Sequence, residues 1–523
     1  AITTFNKEMS EDLNLSVILG LNVRDGKSES TIAMQPNLGI GGFRSLNNGL
    51  VQPVVAQGFA QRRLVGVYSQ VALGYKGAYH LELQGRNDWS STLPVDNNSF
   101  FYWSAAGNVI ISELVDLGPV SFLKASLSYA QVGNDAPAYS TGNAFSVTLD
   151  PNINSQRAAA FPFGGFTGAR AANTVGNSTL KPEKTSGYEL GIEVGALNER
   201  INFALSYYNQ LSADQIQNVT VPGTTGFTSR TLNAGSIRNK GLEMTLTGVP
   251  IETDDFTWKA IVNFTKNSKT IEELAPGLKE LPLGGFSSGG ASMSIIGVPG
   301  SPFGLFQYTD YIKDPNGNLV VDPNGRPQFN TDENVSDGRS IQPDYTMAFL
   351  STLTYKNFSL SFNFQTQNGG YFFSQTYAEL TTPGKSLITA YNYRSPWIVP
   401  GSVLENADGT FSPNTSVFVT DPNQYWNNQG LEEFLLSASY IKLREMTLSY
   451  NLPMSILKST PFRSIVVSAV GSNLFLWTPK ENVYADPEQS LGFGIGQGSS
   501  VPGYEYAVIP SFRSYGFSLR ATL

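Results

Sequence analysis

The chain has 523 residues, of which 41% are hydrophobic, 15% charged and 12% aromatic. Its net charge is −8 and its mean hydropathy −0.14. The acidic balance, with no basic run, argues against nucleic acid as a partner, and the lack of cysteine excludes disulfide and thiol chemistry. The lone histidine, His80, leaves little room for histidine-based catalysis or a multi-histidine metal site.

No stretch approaches the ~18 continuous apolar residues of a membrane helix. Lys7, Glu8, Glu11 and Asp12 interrupt any apolar leader, so the numbered chain is expected to start inside something larger or after processing. What dominates instead is period-2 alternation. It predicts strands near 12–23, 63–75, 78–88, 100–113, 120–132, 185–197, 200–211, 236–249, 255–267, 301–312, 344–355, 357–367, 438–451, 463–475 and 511–523. The clearest case sets Phe358, Leu360, Phe362 and Phe364 against Ser359, Ser361, Asn363 and Gln365.

Alternation alone fits either a soluble sandwich or a membrane barrel. The connections favour the barrel. Short turns at Lys76-Gly77, 197–199, 250–254 and Lys356-Asn357 alternate with long links at 24–62, 133–184, 212–235, 268–300, 368–437 and 476–510, as in outer-membrane barrels. Aromatic rings near strand ends (Phe100 to Trp103, Trp258, Tyr355, Phe358, Phe475 and Trp477) suit the girdles that sit at lipid headgroups. The expected fold is all-β, an antiparallel transmembrane β-barrel. The terminal strand, with Tyr515, Phe517, Leu519, Ala521 and Leu523 on one face, suits recognition by barrel-assembly machinery.

Several stretches, in order, carry a family resemblance. They are Arg63–Gln70, the Arg-Asn-Asp-Trp-Ser-Ser-Thr-Leu-Pro run at 86–94, Asn97–Tyr102, Leu180–Gly191, Asn233–Glu243, 256–267, Ala438–Pro453, Gly471–Thr478, Asp486–Glu488 and Arg513–Phe517. Together the chain resembles the C-terminal barrel portion of the SusC-like TonB-dependent transporters. The resemblance implies a barrel of about 22 strands around a plug. Residues 1–523 then supply about fifteen strands with long extracellular loops, and the plug and first strands are expected before Ala1. It also implies energy from TonB, a SusD-like lipoprotein lid, and import of an oligosaccharide or peptide. The alternative is a non-transporting barrel subunit of an outer-membrane assembly or secretion complex.

No enzyme and no cofactor is expected. Asp314-Pro-Asn-Gly and Asp322-Pro-Asn-Gly read as turns rather than a calcium loop, because the glycine arrives two positions early and no glutamate follows at position 12. His80 and Glu82 fall on one polar face, where a hydrogen-bonded pair is expected. Gly284–Gly290 and Gly492–Gly498 lack the context of a phosphate loop and read as flexible loop. Contact with substrate or lid falls to aromatics placed in the long links: Trp89, Tyr371, Phe372, Phe373, Trp397, Tyr425 and Trp426. They are interleaved with amide and acidic residues that can bond sugar hydroxyls or peptide groups.

Overall fold

A computed structural model describes residues 1–35, 37–143, 145–146, 169–288, 291–427, 429–490 and 502–523. Fifteen strands form one sheet in which each strand lies beside the next in sequence. They are β1 (Ile2–Ser10), β2 (Leu13–Met34), β3 (Val54–Tyr75), β4 (Tyr79–Ser90), β5 (Ser99–Ile110), β6 (Val120–Asn134), β7 (Glu183–Ala196) and β8 (Ile201–Ala213). There follow β9 (Gly235–Glu252), β10 (Phe256–Leu274), β11 (Tyr345–Tyr355), β12 (Phe358–Asn368), β13 (Tyr440–Asn451), β14 (Ser464–Trp477) and β15 (Ser514–Thr522). The result is a fifteen-stranded antiparallel meander.

Fifteen strands were expected and fifteen form the wall, but they are not the same fifteen. The stretch 301–312 contains a strand, Leu305–Tyr311, that belongs to a separate four-stranded sheet with 281–288, 291–297 and 329–335. Its alternation serves a folded loop, not the wall. β1 escapes notice because Lys7 breaks the face that carries Phe5, yet it pairs with β2 from Ile2↔Gly20 to Ser10↔Leu13.

The link 24–62 is also corrected. β2 and β3 stay paired from Leu13↔Tyr75 to Met34↔Val54, 22 residues each. At ~3.4 Å per residue that is about 75 Å, far more than the apolar band of about 25 Å. From Arg24 to Thr31 β2 carries no hydrophobic side chain and its hydropathy period vanishes, while backbone pairing continues. Asp25 takes the Arg63 guanidinium at 2.5 Å, and Lys27 lies over the Phe59 ring.

Side-chain alternation is consistent across β10 to β13. Phe256, Trp258, Ala260 and Val262 lie opposite Tyr355, Leu353, Ser351 and Phe349. Those four in turn face Phe358, Leu360, Phe362 and Phe364. This is the lipid-facing stripe, and its one polar member, Ser351, accepts the Trp258 indole N–H at 3.0 Å. The opposite face carries Thr352, Thr354, Ser359, Ser361, Asn363 and Gln365. Serine and threonine hydroxyls bond there across strands, as between Thr352 and Ser361 at 3.1 Å. Three tight turns place non-glycine residues in the left-handed region at Lys76, Leu197 to Glu199 and Lys356.

The chain divides into two compact units. One holds Ala1–Glu113, Ser126–Glu189 and Gln210–Ile237; the other holds Leu114–Ala125, Leu190–Asn209 and Arg238–Leu523. Each carries its own polar and apolar clusters.

Candidate functional site

In the first unit the 86–94 run explains itself by alternation. Arg86, Asp88 and Ser90 share the polar face of β4. Buried Asp88 accepts the Arg86 guanidinium at 2.8 Å and the Tyr102 hydroxyl at 2.7 Å. Ser90 and Thr92 donate their hydroxyls to buried Asp135, which also takes the Arg62 guanidinium at 2.9 and 2.5 Å. A cluster so fully paired holds the start of link 91–98 against the end of β6. Its residue types signal anchoring, not catalysis.

His80 and Glu82 share the polar face as expected but do not pair. A His80 ring nitrogen sits 3.1 Å from the Gly77 carbonyl, and the Gln84 amide donates to Glu82. Both residues found nearer partners on their own strand and turn.

In the second unit, the long links fold into a body with its own core. The four-stranded sheet packs Met293, Ile295 and Phe306 against Phe373, Phe434 and Tyr504 from two further links. Segment 371–374 pairs antiparallel with 435–437 and parallel with 504–505, so links 368–437 and 476–510 share a sheet. Buried Glu505 accepts the hydroxyls of Ser374 and Thr376, both at 2.8 Å, and the backbone N–H groups of Thr376 and Val508, both at 3.0 Å. Gly284 and Gly285, expected in flexible loop, lie in a strand opposite Ile295 and Ser294. The stretch 492–498 falls outside the described residues.

A β-bulge joins this body to the wall. Asn363 lies opposite Glu445 but Phe364 lies opposite Leu443, so Arg444 is the extra residue of β13. Without it, Lys442 would fall on the lipid face, because one residue of slip exchanges the two faces. With it, the Lys442 ammonium, 2% exposed, reaches Asp486 at 2.7 Å and Glu488 at 2.6 Å. Arg444 bonds Gln365 at 2.6 Å and also pairs with Glu488. The Tyr440 hydroxyl donates to Glu488 at 2.9 Å and Ser511 to Asp486 at 2.6 Å. Segment 478–490 is thereby tied to the wall.

The seven aromatics singled out in the sequence occupy different settings. Trp89 lies within β4, not in a link, and shares the face of Leu81 and Leu83. It is 40% exposed, as a headgroup-girdle ring would be. Phe372 and Phe373, at 0% and 1% exposure, pack the loop core. Trp397 and Trp426 are buried with Val321, Val399 and Val419, and Tyr425 packs edge-on to both indoles. Tyr371 remains at the surface beside Arg339, whose guanidinium lies 5.9 Å from its ring and 5.4 Å from that of Tyr308. Sequence reading missed Arg339 and Tyr391; the latter, half-exposed, meets Trp397 edge-on at 5.4 Å. The two Asp-Pro-Asn-Gly segments are turns. Asp314 accepts the N–H groups of Asn316 and Asn318 at 2.9 and 2.8 Å, and Gly317 is left-handed. These bonds, the Asn318 side-chain amide foremost, hold the Asp314 carboxyl below its ordinary range.

Comparison with known proteins fits this architecture. A family described as TonB dependent receptor-like, beta-barrel, matches residues 6–365. The chain belongs to this family of outer-membrane receptors. Among its relatives, the TonB-dependent receptor P26 of Formosa agariphila is 28% identical over 502 residues, covering 92% of this chain and 48% of P26. The TonB-dependent receptor SusC of Bacteroides thetaiotaomicron is 25% identical over 449 residues, covering 82% of this chain and 42% of SusC. The RagAB peptide importer in its closed-closed state superposes with a TM-score of 0.75 at 20% identity, covering 99% of this chain and 55% of that one. The receptor chain thus spans about half the length of the curated relatives it matches. These relatives are receptors and transporters, not enzymes.

Proposed function

We propose that the complete receptor imports a bulky nutrient, an oligosaccharide or a peptide, across the outer membrane. TonB supplies the energy, and a SusD-like lipoprotein covers the outer loops. The observation that carries this reading is the welding of three long links into one folded body tied to the polar face of a TonB-dependent receptor wall. A passive pore has no need of such a body; a receptor that must select a large ligand does. Support for the substrate class comes from the rings that keep surface at this body, Tyr371, Tyr391 and Tyr425, set among amides and carboxylates. Trp397 and Trp426 shape the surface from beneath, Phe372 and Phe373 hold its core, and Trp89 serves the lipid girdle.

The test is to shorten 387–427 in the complete receptor, sparing 371–374 and 431–437. Loop closure costs change slowly with length, so assembly is expected to survive. Growth on the imported glycan or peptide should be lost while receptor abundance in the outer membrane is unchanged. If growth on every candidate nutrient is untouched while outer-membrane biogenesis fails on receptor depletion, the non-transporting subunit takes its place.

A further inference from the structure

The turn 431–434 lies where several elements of the loop core converge. It packs against 291–297, 305–311, 371–374, 375–381 and 435–437. Leu431 and Phe434 fill the core from it, and between them Glu432 folds its carboxyl back over Gly430, where a Cβ would collide with it. One Glu432 carboxyl oxygen is sealed from solvent and has no hydrogen-bond partner. An ionised carboxylate there has only its own backbone N–H and the charge of Arg339 in its favour, while the sealed oxygen stays unpaired, which is costly.

The neighbouring charges do not rescue it. Arg339 is the cation at hand, but its Nε donates to Asp337 at 2.7 Å and its Nη2 to the Tyr308 hydroxyl at 3.2 Å. Its one hydrogen bond to Glu432 is a long one to the main-chain carbonyl, at 3.4 Å, and its charge lowers the carboxyl less than burial raises it. Asp310 and Glu433 add negative charge. Tyr311, which accepts the Gly430 N–H at 2.6 Å, stays protonated because burial raises it. Of the other ionisable groups around the turn, Tyr371 lies beside Arg339, Tyr377 stacks on Tyr484, and Tyr425 packs edge-on to the two indoles. Glu379 accepts the Gln375 amide, Glu505 is satisfied by Ser374 and Thr376, and Tyr504 lies in the core. Segments 291–297 and 435–437 carry no ionisable side chain.

We propose that Glu432 is a proton-dependent clasp: protonated, it lets the turn 431–434 seat in the loop core, and ionised, it loosens that turn and with it the surface the loop body presents. Burial, reinforced by Glu433 and Asp310, pushes this carboxyl up to about 7. The sign follows directly. The seated loop binds a proton that the opened loop releases, so stability is full below the ordinary glutamate range and falls as pH rises toward 7. The clasp is a property of the loop body and stands or falls separately from import.

The experiment is hydrogen exchange on the complete receptor in detergent at pH 5 and pH 8, corrected for the intrinsic rate, read at residues 429–437. In the wild type, opening should increase by at least about tenfold from pH 5 to pH 8. Glu432→Gln should be equally protected at both, whereas Glu433→Gln should keep most of the pH dependence. Wild-type protection that does not change with pH overturns the clasp whether or not the variants fold. So does a Glu432→Gln receptor that follows the wild-type pH profile.

Discussion

Lys442→Met is expected to free segment 478–490 from the barrel wall. The substitution leaves Asp486, 2% exposed, without its cation and Glu488 with Arg444 alone. Removing one partner of a buried pair costs ~3–5 kcal/mol, because the remaining charge is stranded. The wall itself keeps its strand pairing, so the loss should be local. Limited proteolysis of the complete receptor should cut within 478–490 at least tenfold faster, while heat-modifiable migration of the barrel stays normal. Lys442→Met combined with Asp486→Asn should recover part of the protection, as expected for coupled neighbours. Unchanged cleavage in the single variant would show that the segment is held by its apolar contacts instead.

The second large effect concerns the lipid face. Phe362→Arg puts a charge in the middle of β12 on the stripe shared with Ser351 and Met446. It should cost ~2–4 kcal/mol of folding stability in bilayers. Ser361→Arg, one residue away on the polar face, should cost much less. Urea unfolding of the complete receptor in lipid vesicles measures both. Equal losses at the two positions would contradict the assignment of faces.

Much of this wall can be read from sequence because lipid on one side and water on the other impose a strict period of two. The reading fails where that contrast is absent. β2 runs on past Val23 through Arg24 to Thr31 with no hydrophobic side chain, and Lys7 hides β1. Leu305–Tyr311 reads as a strand for a different reason, since both its faces are buried in a folded loop. Trp89 looked like a loop ring because the strand end could not be placed by hydropathy, and pairing with Val65 and Ser99 settles it. The tie between Lys442 and Asp486 spans 44 residues and depends on a bulge, which no local pattern announces. Glu432 is inconspicuous in sequence for a similar reason: most of its environment comes from 291–311, Arg339 and 371–381, all well removed from it in the chain.

Import is tested most directly by uptake. Cells carrying the complete receptor and the proposed lipoprotein lid would be given fluorescent peptides and oligosaccharides, with and without TonB. Accumulation of at least one ligand class that requires both the receptor and TonB is the predicted result. Uptake that persists unchanged without TonB, or that never depends on the receptor, would contradict it.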